Sequence, residues 1–334
     1  MVPVALLLVC CAGTAQPLSR TVVDLLGTVC TITLYSGGGE DALDTAFARI
    51  RQIDERQSVQ KTDSELARVN LAAGTNPVKV SADTFAVIRE GLEFSRLGNG
   101  VFDITVGPLV KLWGIGSETP RVPLPADIGR ALARVDFRSV VLSAETSSVF
   151  LKKPGMALDL GAIGKGYAAD EAARILKERG VSAALIDLGG NILAVGKKPD
   201  GTPWRIGIQD PEQPRGSHLG VLRTAQVSVV TSGSYQRFFE SGGVRYHHIL
   251  DTRTGYPTRS GLLAVAVVAA RSVMADGYST LLFALGLEKG RQLVEAARGE
   301  VNAIFVTEDR KVYVTEGIRD SFTLTGSRYV RGGW

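Results

Sequence analysis

Three short stretches concentrate groups able to hold an anion and a cation side by side. In "ADGYSTLLFALG" (275–286) an acid, a serine and a threonine lead an apolar run. On a helix Asp276 and Thr280 stand four apart on one face, stacked by about one turn, so a carboxylate and a hydroxyl aim at one spot. An acid at a helix start also caps backbone N–H groups, and spacing alone favours that plainer role. "LDLGAIGKGYAAD" (158–170) sets Asp159, Gly161, Gly164, Lys165 and Gly166 at a strand-to-helix junction. Glycines there let backbone approach a ligand, free N–H groups at the helix start favour phosphate, and Lys165 adds charge for the same anion. The four-residue gap and following Ser or Thr of a phosphate-binding P-loop are missing, and a tight turn with a surface lysine reads equally well. "RYHHILDTRTGYP" (245–257) holds His247 and His248, two of only three histidines. In an extended segment they face opposite ways, so at most one joins a given site. With so few histidines, and cysteines only at 10, 11 and 30, zinc is disfavoured; a metal here would be oxygen-bound and hard, which favours magnesium. "GVFDITVGPLVKLWG" (100–114) could line a pocket for a flat aromatic ligand or be core followed by a turn.

These stretches need elements to present them. "EDALDTAFARIRQIDERQS" repeats apolar positions at helical spacing, with Ala42, Ala46, Ile50 and Ile53 on one face. "SADTFAVIREGLEFSRLGNG" predicts a helix capped by Ser81 or Asp83 and closed by Gly98 or Gly100, and "GKGYAADEAARILKERG" another ended by Gly180. "LGTVCTITLY" opens the fold as a strand, with Cys30 a buried small residue rather than a nucleophile. "SAALIDLGGNILAVG" and "PWRIGIQD" read as paired strands, "GVLRTAQVSVVTSG" alternates as one strand, and "LLAVAVVAA" suits a central one. Two helical pieces and the strands "NAIFVTED" and "KVYVTEG" close the chain. Helices and strands mix without strict alternation, which predicts an α+β fold rather than a doubly wound parallel sheet.

At 334 residues, with 45% hydrophobic and 22% charged composition, the chain can bury a large core as one domain or two intimate ones. The net charge of +4 is spread along the chain rather than clustered, which argues against nucleic acid. Three cysteines cannot form a disulfide framework. Residues 1–19 read as an export leader: a short apolar run, then Cys10 and Cys11, then small and polar residues. Lipid attachment to Cys10 or Cys11 is expected, with a plain cleaved signal as the alternative, since no Lys or Arg precedes the run and neither cysteine sits in a well-formed lipoprotein box. Residues 20–334 then form the functional domain, with no later run near the ~18 apolar residues of a spanning helix.

In this order, "LGTVCTITLY", "SELARVN", "GVFDITVGPLVKLWG", "LDLGAIGKGYAAD", "DLGGN", "TSGSYQRFF", "YHHILDTRTGYP" and "ADGYSTLLFALG" resemble the ApbE-like family of FAD:protein FMN transferases, from about residue 24 to the carboxyl end. Each motif is weak alone; eight in register are specific. The resemblance implies duplicated, T-fold-like α+β subdomains with FAD in a cleft between them. It also implies a magnesium-dependent transfer of FMN from FAD to a Thr or Ser hydroxyl of an acceptor protein, with release of AMP. The acceptors it implies are extracytoplasmic, such as redox-pump subunits, and the leader agrees with a periplasmic protein lipid-anchored to the inner membrane. Carried onto matching positions, the metal ligands fall on the Ala162 carbonyl, Asp276 and Thr280, with Ser279 secondary. Asp159, Lys165, Asp103, Ile104 and Thr105 match FAD-contacting positions, and His248 and Ile249 the adenine side. His248 is the nominated base. One departure stands out: "RQSVQKTDSEL" has no aromatic between Arg56 and Leu66, where many relatives place one near the flavin. That change raises FAD pyrophosphatase activity as an alternative, and a non-catalytic exported flavin carrier as one of another class.

Overall fold

The computed structural model describes residues 16–334. Cys10 and Cys11, and with them most of the expected leader, lie outside the described residues. The fold is α+β. Among the described residues nine strands form one sheet, in the order β1 (Leu18–Leu25), β2 (Thr28–Ser36), β6 (Ala183–Leu188), β7 (Asn191–Gly196), β10 (Ser228–Gly233), β13 (Leu262–Ala269), β14 (Val301–Thr307), β15 (Lys311–Val314) and β17 (Val330–Arg331). Every neighbouring pair is antiparallel except the last. β8 (Trp204–Gln209), β9 (His218–Thr224) and β16 (Phe322–Leu324) form a second sheet; β3 (Val78–Lys79), β4 (Val140–Ser143) and β5 (Ser148–Leu151) a third; β11 (Phe238–Ser241) and β12 (Val244–His247) a hairpin. The helices are α1 (Glu40–Gln57), α2 (Glu65–Leu71), α3 (Ala82–Leu97), α4 (Gly107–Trp113), α5 (Pro125–Leu132), α6 (Gly164–Glu178), α7 (Ser272–Leu285) and α8 (Leu287–Ala296).

The strand β13 explains why its sequence is apolar throughout. Val265, Val267 and Ala269 join the core containing Val273 and Leu281 of α7, whereas Ala264, Ala266 and Val268 meet Trp204, Ile206 and Leu222 of the second sheet. With both faces covered, no position is left for a polar residue. On the other side of the large sheet's midpoint β2, β6 and β7 are covered by α1 through Ala42, Ala46, Ile50 and Ile53, as the spacing predicts, and by α6 through Ala168, Ala172 and Leu176, and Cys30 is buried among them. The two halves join at β7 and β10, which pair over only three positions, from Ser228↔Leu193 to Val230↔Asn191.

Several boundaries differ from the sequence reading. "LSRTVVDL" forms β1 ahead of the expected first strand, turning into β2 at Leu26 and Gly27, both in the left-handed region. The first two residues of β1, Leu18 and Ser19, fall within the expected leader span of 1–19. "GVLRTAQVSVVTSG" is two strands in different sheets, β9 and β10, because the turn between them carries the chain from one layer to the next. β8 pairs with β9 and not with the 183–196 hairpin. Ser81 caps α3 by accepting from Thr84 N, and Gly98 closes it.

Candidate active site

The chemistry-bearing helices α6 and α7 meet at Gly166. A Cβ on Gly166 would lie 2.5 Å from the Ser272 carbonyl oxygen and 2.6 Å from Val273 Cα, both backbone atoms, so only glycine permits this approach. Asp276 sits in the second turn of α7, not at its start, and the self-capping reading is corrected accordingly. Its carboxylate reaches across instead: Oδ2 accepts from Gly166 N at 2.8 Å, in the first turn of α6, a helix with no side-chain cap of its own. Lys165 Nζ lies 3.8 Å from the other oxygen, Oδ1. Asp276 is 3% exposed. Burial pushes its carboxyl up, and the Lys165 charge, the Gly166 N–H and the neighbouring Asn191 amide oppose that. The Asn191 Nδ2 itself is buried without hydrogen-bond geometry to any group among the described residues.

Thr280 stands one turn on from Asp276 along α7, partly exposed, its Oγ1 3.4 Å from Ser232 Oγ. The Ala162 carbonyl, just before α6, accepts no hydrogen bond among the described residues, and neither does the Lys165 N–H donate one. Ser279 is fully buried and its hydroxyl is spent internally, donating to the Asp276 carbonyl at 2.8 Å and pairing with Ser232 Oγ at 2.8 Å. No three His, Cys, Asp or Glu side chains converge among the described residues. The oxygen donors at this corner are therefore a carboxylate oxygen, a hydroxyl and a carbonyl, the first two held only by long contacts to Lys165 and Ser232, a set that fits a hard cation such as magnesium and not a soft one.

The loop before α6 is tied to the "VFDIT" stretch. Asp159 N donates to the Ile104 carbonyl at 2.8 Å, Gly107 N donates to the Ala157 carbonyl at 3.1 Å, and Asp159 Oδ1 accepts from Gly161 N at 2.8 Å. Burial raises the Asp159 carboxyl, against the Gly161 N–H and the charges of Lys165 and Arg237. Asp103, Ile104 and Thr105 are all buried. Asp103 Oδ1 accepts from Thr105 N and Oγ1 (2.8 and 2.7 Å), its Oδ2 from Phe137 N (3.0 Å), and Thr105 Oγ1 accepts from Asp136 N (2.8 Å). These two polar side chains thus brace the loop, and what the stretch offers a ligand is shape and backbone.

The two histidines do separate. His247 is buried against Phe283, its Nε2 on the Thr258 carbonyl at 2.9 Å and its Nδ1 accepting from Ile249 N at 3.3 Å, so both ring nitrogens are used. Ile249 is buried beside it. His248 is partly open, with Nδ1 3.3 Å from the Arg237 carbonyl. A carbonyl can only accept, so Nδ1 carries the proton and the Nε2 lone pair is left free. Burial lowers its pKa to about 4, with the charges of Arg237 and Lys165 adding to the effect.

Arg237 is the residue that sequence reasoning passed over. It stands in "TSGSYQRFF", where it carries no spacing relation to the other charges. In the fold it donates to the Gly27 carbonyl at 3.0 Å, and its charge acts on both Asp159 and His248. Lys165 acts on Asp159, His248 and Asp276 alike. The structure thus draws Asp159, Lys165, Arg237, His248 and Asp276 from four separate motifs into one electrostatic neighbourhood.

Residues 26–305 match the sequence model of the ApbE family. The chain is 40% identical over 305 residues to an FAD:protein FMN transferase of Klebsiella pneumoniae, covering 91% of this chain and 94% of that one. It is 38% identical over 338 residues to the FAD:protein FMN transferase of Treponema pallidum, covering 96% and 93%. Its fold is similar to the crystal structure of the ApbE protein from Thermotoga maritima, with TM-score 0.85 and 29% identity over 92% of this chain and 99% of that one. It is also similar to the flavinyl transferase ApbE of Pseudomonas stutzeri, with TM-score 0.80 and 31% identity over 92% and 96%. Sequence and fold agree along nearly the whole length described: the chain belongs to the ApbE family.

Proposed function

We propose that the protein is an FAD:protein FMN transferase, moving FMN from FAD to a Thr or Ser hydroxyl of an extracytoplasmic acceptor and releasing AMP. The observation that carries the reading is the corner where α6 and α7 cross: a buried carboxylate, a hydroxyl one turn away and an unpaired carbonyl, beside a lysine and a free helix-start N–H. Relatives of matching length bear the transferase name. The two halves of the large sheet, each with helices on it, support the duplicated T-fold-like reading with the flavin nucleotide in the cleft between them.

A diphosphate brings negative charge that must be balanced before phosphorus can be attacked. A magnesium ion held by the Ala162 carbonyl, Asp276 and Thr280 would neutralise part of it and polarise the phosphorus. Lys165 and Arg237 supply two further positive charges, and the Lys165 N–H points a helix-start dipole at the anion. Asp276 stays in place because Gly166 N holds its other oxygen. His248 offers Nε2 to the acceptor hydroxyl proton. A base of pKa about 4 is unprotonated at neutral pH but accepts weakly, and a bound diphosphate would raise its basicity. In this reading Asp103, Ile104 and Thr105 shape the flavin side, and His248 and Ile249 the adenine side.

The stretch between Arg56 and Leu66 lacks an aromatic wall. That observation favours a second reading, in which water replaces the acceptor hydroxyl and the same site splits FAD to FMN and AMP. We place the protein in the periplasm, anchored to the inner membrane through lipid on Cys10 or Cys11; the leader composition supports this. Among the described residues no helix is long and apolar enough to cross a membrane. The deciding experiment incubates the protein with FAD and Mg²⁺, with and without an acceptor domain of a flavin-dependent redox pump. AMP together with an FMN mass increment on the acceptor is expected. AMP and free FMN without labelling would make it a pyrophosphatase, and no AMP would leave a flavin carrier.

A further inference from the structure

The cap that Asp276 gives to α6 is returned. The N-cap residue of α7, Arg271, makes no side-chain cap, and no acidic residue lies in that helix's first turn. Its orphan N–H groups are met from α6: the Asp170 carboxylate accepts from Ser272 N at 2.7 Å and from Val273 N at 3.1 Å, one oxygen to each. Each helix therefore starts on a carboxylate of the other, Asp170 of α6 on α7 and Asp276 of α7 on α6, around the glycine contact at Gly166. The first turn of α7 is also pinned from the sheet. Ser272 Oγ donates to Asn191 Oδ1 at 2.7 Å and accepts from Ser228 Oγ at 2.9 Å, all three residues being at most 1% exposed. Ser272 and Asp276 are one turn apart on the same face, so what fixes the first fixes the direction of the second.

We propose that Asp170 is a positioning residue for the metal-binding corner: by capping α7 in trans it sets where the Asp276 carboxylate points, although it touches neither metal nor nucleotide. The inference rests on the transferase reading for the identity of the metal, but its geometric half does not. Among the described residues the Asp170 side chain bonds only to α7, and the Gly166 N–H is held only by Asp276. A change at Asp170 can reach Gly166 N–H through Asp276, through the Ser272–Val273 backbone packed on Gly166, or through the turn of α6 that the two residues share, and Mn²⁺ affinity separates the first route from the others.

The test uses the full chain, wild type, Asp170→Ala and Asp170→Asn, with amide hydrogen exchange at Gly166 and Mn²⁺ titration by paramagnetic resonance in the presence of FAD. Asp170→Ala should speed Gly166 exchange by roughly fivefold, the factor a lost cap produces. Exchange near Leu176, at the far end of α6, should not change. Mn²⁺ should bind about tenfold or more weakly, as when a group that orients a metal ligand is removed. Asp170→Asn keeps one acceptor for Ser272 N and should recover most of both losses; it also stands in if the alanine variant does not fold. Unchanged Gly166 exchange in a folded variant would overturn the proposal whatever the metal does. Faster exchange at Gly166 alone or along all of α6, with Mn²⁺ affinity intact, would also overturn it, leaving Asp170 a stability residue only. If wild type binds no Mn²⁺, the metal reading fails, and the Gly166 exchange still decides the clamp.

Discussion

Replacing Gly166 with alanine adds one methyl group where the structure has no room for it. The new Cβ would sit 2.5 Å from the Ser272 oxygen and 2.7 Å from its carbonyl carbon, and ordinary contact begins near 3.4 Å, so the two backbones must part by about 0.9 Å. The Gly166 N–H to Asp276 bond, now 2.8 Å, then stretches beyond the ~3.2 Å at which such bonds hold. Overpacking of this kind costs about 1–3 kcal/mol, offset by the ~1 kcal/mol that alanine gains over glycine inside a helix. The stability loss should therefore be small, about 0–2 kcal/mol. The functional loss should be large, because misplacing a catalytic group by about 1 Å can cost on the order of 100-fold in rate. The assay is AMP release from FAD at saturating Mg²⁺, read beside the thermal midpoint. A folded Gly166→Ala variant within about threefold of wild type would refute the argument that close approach at this residue sets the Asp276 geometry.

Asp276→Asn should separate the two roles of that side chain: its amide oxygen can still cap Gly166 N, so the melting temperature should stay near wild type while Mg²⁺-dependent turnover disappears, whereas Asp276→Ala should lose both. Retained Mg²⁺-dependent turnover in either would remove Asp276 from the site. His248 has a folded-state pKa lowered to about 4 from an ordinary 6.5, so its stability contribution is complete above about 6.5 and is lost as pH falls from there toward 4. Half-buried Asp159 and buried Asp276, whose carboxyls are raised, act in the opposite sense in acid, so the useful comparison is with His248→Gln. Thermal melts from pH 7 to pH 4.5 should slope less steeply in that variant, by at most about 1.4 kcal/mol per pH unit; equal slopes would remove His248 as the source.

How much of this was legible in the sequence depends on the distance over which each signal acts. α1, α3 and α6 are readable from apolar spacing, the Ser81 cap of α3 and the glycines at 98 and 180 that follow α3 and α6, because those signals are local. The strand pairs were less so: nothing in "GVLRTAQVSVVTSG" marks the layer change inside it, and β8 finds its partner only in three dimensions. Asp276 and Thr280 stand out by their own spacing, but spacing alone favours a self-cap for Asp276, whereas the N–H that its carboxylate holds, Gly166, lies 110 residues away. Arg237 and Asp170 stand inside "TSGSYQRFF" and "LDLGAIGKGYAAD" with no spacing relation that singles them out. Their significance comes from groups on other elements, and no pattern along the chain carries that.

The short pairing between β7 and β10 gives the site a consequence for lifetime as well as turnover. Only three residue pairs join the two halves of the sheet there, and the rest of the attachment comes from the second sheet, which packs on strands of both halves, and from the crossing of α6 on α7. A nucleotide and cation gripped at once by Ala162 and Lys165 on one side and by Asp276 and Thr280 on the other would act as a removable rivet across that joint. Binding confined to the joined state withdraws population from the opened one by mass action, so a protease that cuts at the parted seam would find fewer molecules to attack when FAD is plentiful. Substrate supply would then set how long each copy of the protein survives.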